Sequence, residues 1–267
     1  MTRTPALLVL ILGAILALAP AGARAASPFS NWAAIVVAGD FHAAHTDNPT
    51  ETFDNARRDV SVAFEQAGFS ARNLREFSVR PDRYPDTRPL KSDPALIGET
   101  LHDLAAHATG GCLVYFTSHG APQGVLVGDS LLPPGQMDRM ITDACGKRPT
   151  VVIISACFSG VFVPALADSN RMILTAARPD RSSFGCSESD KYPYFDTCML
   201  KVLPSSHDFA ALGPAVQACV AERETETGVQ PASEPQLLVG PGLRATLPLY
   251  AFGGTARGAQ PNVTLSR

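Results

Sequence analysis

The sequence predicts an α/β fold with a mostly parallel central sheet. Two observations carry that expectation. Short apolar runs alternate along the chain with amphipathic stretches, the order of strands and helices taken in turn. The chain, 267 residues with 45% hydrophobic and 18% charged, also has enough apolar material to bury the core of one large domain or two small ones.

Each element has its own signal. Residues 33–37 read as a first buried strand, ended by Gly39-Asp40. A helix over 54–66 follows, with Ala56, Val60, Ala63 and Phe64 as its apolar stripe and Gly68 as its stop. Residues 74–79 form a second strand. The stretch 81–94 holds four prolines and many charges, and reads as a surface loop. Asp93 then caps a helix over 94–107, with Pro94 at its first position and Leu96, Ile97, Leu101 and Leu104 inward. A third strand over 113–117 and a fourth over 151–155 flank a small hairpin at 124–132 and a helix at 134–144. A fifth strand over 171–176, a late helix over 209–223 and a short strand over 236–239 complete the order. Residues 255–267 are polar and read as a loose tail.

The formal charge of −3 and the absence of any run of like charge argue against nucleic acid as a partner, since phosphate binding needs clustered Lys and Arg. Residues 1–25 read as a signal peptide: Arg3 opens it, 6–19 are apolar, and Ala23-Arg24-Ala25 offers a small-residue cleavage site. The apolar run is short for a membrane span, so no stable insertion is expected once it is removed. Without these residues the chain keeps 20 basic and 25 acidic groups, a net of −5. The expected location is therefore exported, periplasmic or secreted. That setting permits disulfides among Cys112, Cys145, Cys157, Cys186, Cys198 and Cys219. With one thiol kept free for chemistry, two bridges and one cysteine over is the expected arithmetic. Cys186 with Cys198, or Cys198 with Cys219, would be local closures, and connectivity stays open.

Chemistry gathers at two strand ends. In an open parallel sheet, ligands bind beyond the carboxyl ends of the strands. The third strand runs Leu-Val-Tyr-Phe-Thr-Ser into His119-Gly120, and the fourth runs Val-Val-Ile-Ile-Ser-Ala into Cys157-Phe-Ser-Gly160. Each alone has a bland reading, a turn histidine or a buried core thiol. Together they supply a nucleophile with a base beside it, and the amides of Gly120 and Cys157 could hold an oxyanion. A helix starting just after Cys157 would favour its thiolate.

Strand-Ser-His-Gly followed by strand-Ala-Cys-x-Ser-Gly resembles the legumain (asparaginyl endopeptidase) family of cysteine peptidases, relatives of the caspases. The likeness runs over about 33–240 and is strongest at 115–120, 153–160 and 175–186. It implies a caspase-like three-layer sandwich in one peptidase domain over 30–254, peptide or protein substrates, and a catalytic His119 and Cys157. It further implies that Ser183 belongs to a wall of the pocket for the residue before the scissile bond. Arg57 or Arg58 would match a pocket arginine, with no choice between them, and Asp196 the pocket acid. Ser155 stands where asparaginyl endopeptidases carry Glu, which puts Asn selectivity in doubt. No metal or organic cofactor is required; His42 and His45 lack a third ligand nearby and read as loop residues. Beside hydrolysis, transpeptidation, an inactive scaffold of the same fold, and a module with Cys157 bridged stay open. The oligomeric state is not legible.

Overall fold

The computed structural model describes residues 26–253 apart from His45 and Asp47. The expected signal peptide, the tail at 255–267 and His45 therefore lie outside the described residues.

β1 (Trp32–Ala38) opens the fold and is buried along its whole length. α1 (Thr52–Gln66) begins two residues earlier than its apolar stripe predicts and returns the chain to β2 (Leu74–Ser78). Within the proline-rich stretch, β3 (Leu90–Lys91) adds a two-residue edge strand beside β2. α2 (Pro94–His107) starts as predicted, the Asp93 carboxylate accepting the amides of Ala95 and Leu96 at 3.0 and 2.9 Å. That cap satisfies two of the donors a helix start leaves without partners.

β4 (Gly111–Thr117) is followed by β5 (Gly120–Ala121), β6 (Gly124–Val127) and β7 (Ser130–Leu132), a small antiparallel sheet. The predicted hairpin is its β6–β7 part. Then come α3 (Pro134–Cys145), β8 (Thr150–Ser155), the short α4 (Phe162–Leu166) and β9 (Arg171–Thr175). α5 (Tyr194–Val202), α6 (Phe209–Thr227), β10 (Gln236–Val239) and α7 (Pro241–Arg244) finish the order. α6 runs four residues past its predicted end, to Gly228, whose φ of 68° suits a residue without a Cβ.

The main sheet has the order β10-β9-β8-β4-β1-β2-β3, parallel except for β10 against β9. Its side chains divide by the period of two. Ala34, Val36, Leu113, Tyr115, Val151 and Ile153 face one layer, filled by Phe64 of α1, Phe195 and Met199 of α5, and Phe209 and Leu212 of α6. Ala33, Ile35, Val37, Val114, Phe116, Val152 and Ile154 face the other, against Ile97 and Leu101 of α2, Met137 and Ile141 of α3, and Phe162 of α4. The result is a three-layer α/β sandwich. Each large apolar side chain so buried contributes roughly 1.5–3 kcal/mol. Burial on both faces explains why the strands read as unbroken apolar runs.

Two disulfides tie helices to this frame. Cys112–Cys145 joins the start of β4 to the end of α3, and Cys198–Cys219 joins α5 to α6. Cys157 and Cys186 are free thiols. Of the two local closures expected, Cys198 with Cys219 forms and Cys186 with Cys198 does not.

Candidate active site

The β4–β8 pairing fixes where His119 and Cys157 emerge. Thr117 stands opposite Ser155 in the parallel register, so the histidine and the cysteine each lie two residues beyond a matched pair. Backbone bonds extend the frame past the strands. The Ser118 amide donates to Ser155 O at 3.0 Å, and the Gly39 amide donates to Thr117 O at 3.0 Å. The small sheet closes from above, with Leu126 N donating to His119 O at 3.0 Å and the Ser118 hydroxyl donating to Leu126 O at 2.7 Å. Gly120 is pressed against the nucleophile segment: a Cβ there would lie 2.1 Å from the Cys157 carbonyl oxygen. The two strand ends therefore meet.

The His119 ring is held on two sides. Its Nε2 donates to the His42 carbonyl at 3.0 Å, and the edge of Phe53 packs at 5.0 Å between centroids. The nearly buried Asp40 carboxylate lies 3.9 Å from the same nitrogen, while its other oxygen takes His42 Nδ1 at 2.7 Å. With Nε2 engaged, Nδ1 is the nitrogen left for chemistry. The Cys157 sulfur accepts the Ser183 amide at 3.2 Å and lies 3.5 Å from the Ser183 hydroxyl. Both residues line one cleft of about 850 Å³, together with Gly120, His42 to Ala44, Ser182 to Ser187, and Asp190.

The segment after Cys157 departs from the predicted helix start. Phe158 takes a left-handed turn at φ 56°, and a single 3₁₀ turn over Ser159–Val161 precedes the five-residue α4. A positive φ is uncommon for a bulky residue and is sustained here by the Phe158 amide donating to Arg181 O at 2.8 Å. The helix-dipole argument for the thiolate loses its basis with it.

The other predicted site residues are placed differently. Ser183 lines the cleft. Arg57 is fully buried, bonded to Asp54 at 2.9 Å and to Glu76, with its guanidinium over the Tyr84 ring. Arg58 is half-exposed and pairs with Asp59 at 3.0 Å. Neither arginine is among the residues lining the cleft. Ser155 and Asp196 are brought together in the buried interior, and neither lines the cleft. Asp196 accepts the hydroxyls of Tyr115 at 2.5 Å, Thr117 at 3.1 Å and Ser155. Burial raises its carboxyl to about 6, with the three hydroxyls pulling the other way. Burial likewise pushes the Cys186 thiol up, with the nearby Cys157 adding to the effect.

Asp40, the His42 carbonyl and Asp190 were not singled out from the sequence. For the first two a signal existed. β1 is the parallel neighbour of β4, so its carboxyl end, Gly39-Asp40, had to open on the same crevice. Asp190 sits in an irregular loop with no periodicity to place it.

Comparison with known proteins agrees with this architecture. Caspase-1 from Spodoptera frugiperda superposes with a TM-score of 0.57, covering 80% of this chain and 88% of that one at 15% identity, a likeness of fold. No curated protein matches the chain in sequence. Residues 34–211, which span β1 through the start of α6 and hold both strand ends, match the peptidase C13 family, and the chain is accordingly a cysteine peptidase of that legumain-type family.

Proposed function

We propose that this peptidase works by acyl transfer with Cys157 as nucleophile and His119 as its base. One observation carries the reading: matched positions on paired parallel strands deliver an imidazole and a free thiol to the same cleft. The sulfur attacks the peptide carbonyl carbon, and His119 Nδ1 takes the thiol proton and returns it to the leaving amine. The amides of Gly120 and Cys157 hold the negative oxygen of the tetrahedral intermediate. Water then opens the thioester, and the histidine accepts its proton. The two disulfides support an oxidising, exported setting for this chemistry. Among the described residues no helix is long and apolar enough to cross a membrane.

The test is peptide turnover together with labelling by an electrophilic peptide probe. Cys157→Ala should lose both, and His119→Ala should lower turnover on the order of 10³-fold or more, each with an unchanged melting temperature. Retained turnover in Cys157→Ala would remove the assignment.

A further inference from the structure

Among the described residues that line the cleft there is no Lys or Arg, and Asp190 is the single carboxylate. Asp190 is half-buried, and its Oδ2 takes the Ser187 amide at 2.8 Å and the Ser187 hydroxyl at 2.5 Å. At the rim, Glu188 takes the Asn48 side-chain amide at 2.7 Å and the Thr46 hydroxyl at 3.5 Å. Every one of these partners is neutral, and among the described residues neither acid belongs to an ion pair. This contrasts with Asp54, Asp59, Asp138, Asp168 and Asp180, each of which meets an arginine or a lysine. His42, the remaining ionisable side chain among the described lining residues besides His119 and the thiols, is already paired with Asp40. Among the described residues, the cleft thus carries a carboxylate with no Lys or Arg to balance it.

The position of that charge matters. Ser183 touches the Cys157 sulfur and belongs to the 182–187 wall of the cleft. The residue whose carbonyl the sulfur attacks must seat its side chain within this cleft, and the 182–187 wall is in contact with the sulfur. Asp190 lines the same cleft and is bonded to Ser187 at the end of that wall. A cation there donates a charge-assisted hydrogen bond to the carboxylate, whereas an acidic side chain meets like charge.

Resting on the peptidase reading above, we propose that the residue before the scissile bond is Arg or Lys, and that Asp190 is the specificity-determining group that receives it, with Glu188 adding to the field at the rim. Asp190 touches no reacting atom in this reading; it selects.

The experiment uses the mature protein and peptides identical except at that residue, which is Arg, Lys, citrulline, Gln, Asn or Asp. Citrulline keeps the shape of Arg and removes its charge, so the wild-type protein alone tests the idea. Arg should exceed citrulline in kcat/KM by at least about tenfold, and Asp should be the poorest. In Asp190→Asn the ratio of Arg to citrulline should fall towards one, and Glu188→Gln should lower it less. Equal rates for Arg and citrulline, a preference for Asn or Asp, or an unchanged ratio in Asp190→Asn would each overturn the proposal while leaving Cys157-dependent cleavage standing. Absence of all cleavage, with no labelling of Cys157, would take down the peptidase mechanism and this inference with it.

Discussion

At Gly120 the space left for a side chain is smaller than a methyl group, because the Cys157 carbonyl oxygen would lie 2.1 Å from a Cβ placed there. The glycine is therefore a steric condition for bringing the β4 and β8 ends together, independent of any donor role for its amide. Gly120→Ala should push the His119 and Cys157 segments apart. A displacement of about 1 Å at reacting groups can cost on the order of 100-fold. The expected outcome is a fall in kcat of that order, with most of the folding stability retained, read by peptide turnover beside thermal unfolding. Wild-type kcat would show that the segments can separate without harm. Ser155 is a comparable case, since its hydroxyl donates to the buried Asp196. Ser155→Ala leaves that carboxylate with one donor fewer and should destabilise the fold by about 1–3 kcal/mol, measurable by urea unfolding.

At the scale of elements, the strands of the main sheet other than the two-residue β3, which lies in the stretch read as a loop, were the legible part. Unbroken apolar runs such as those of β4 and β8 permit few alternatives, and the His119 and Cys157 positions follow from where those runs end. What escaped is shorter or depends on distant partners. β5 is two residues long and exists only because Val125 of β6 lies opposite Gly120. α5 did leave a trace, since Phe195, Cys198, Met199 and Val202 fall at helical spacing, but nine residues and a Pro193 start make a weak signal. The pocket roles implied for Arg57 and Asp196 stand on residues whose burial no local pattern announces. Arg57 lies on the inner face of α1 because Asp54 and Glu76 meet it there, one of them from β2. The same α5 is fastened to α6 by Cys198–Cys219 across 21 residues of sequence. Replacing both cysteines with Ala should lower stability by about 3 kcal/mol, as expected for closing a loop of that size in the unfolded chain. Equal urea midpoints for the two proteins would show that packing of Phe195 and Met199 suffices to hold α5.

Over the whole molecule, the sheet is sealed on both faces, and the acids trapped in the layers make its stability depend on pH. Burial raises Asp196 from 3.8 to about 6, and it raises Glu76 from 4.5 to about 7 against the pull of Arg57. A carboxyl that holds its proton more tightly when folded stabilises the fold fully below its unfolded value. That contribution is then lost as pH rises through the folded value. For Asp196 the window is roughly pH 4 to 6, and the loss across it is about 3 kcal/mol. Asp59, which Tyr192 and Arg58 lower from its ordinary value, works in the opposite sense and only in more acid solution. The unfolding free energy of the native chain should therefore decline between pH 4 and 6. Asp196→Asn, which cannot ionise, should show a shallower decline over the same interval, with Glu76 supplying what remains towards pH 7. Urea unfolding of both proteins at pH 4, 5 and 6 measures the difference. Parallel curves would mean that the hydroxyls of Tyr115, Thr117 and Ser155 keep Asp196 ionised throughout. In that case a fixed negative charge sits beneath the paired Thr117 and Ser155, two residues before the histidine and the thiol.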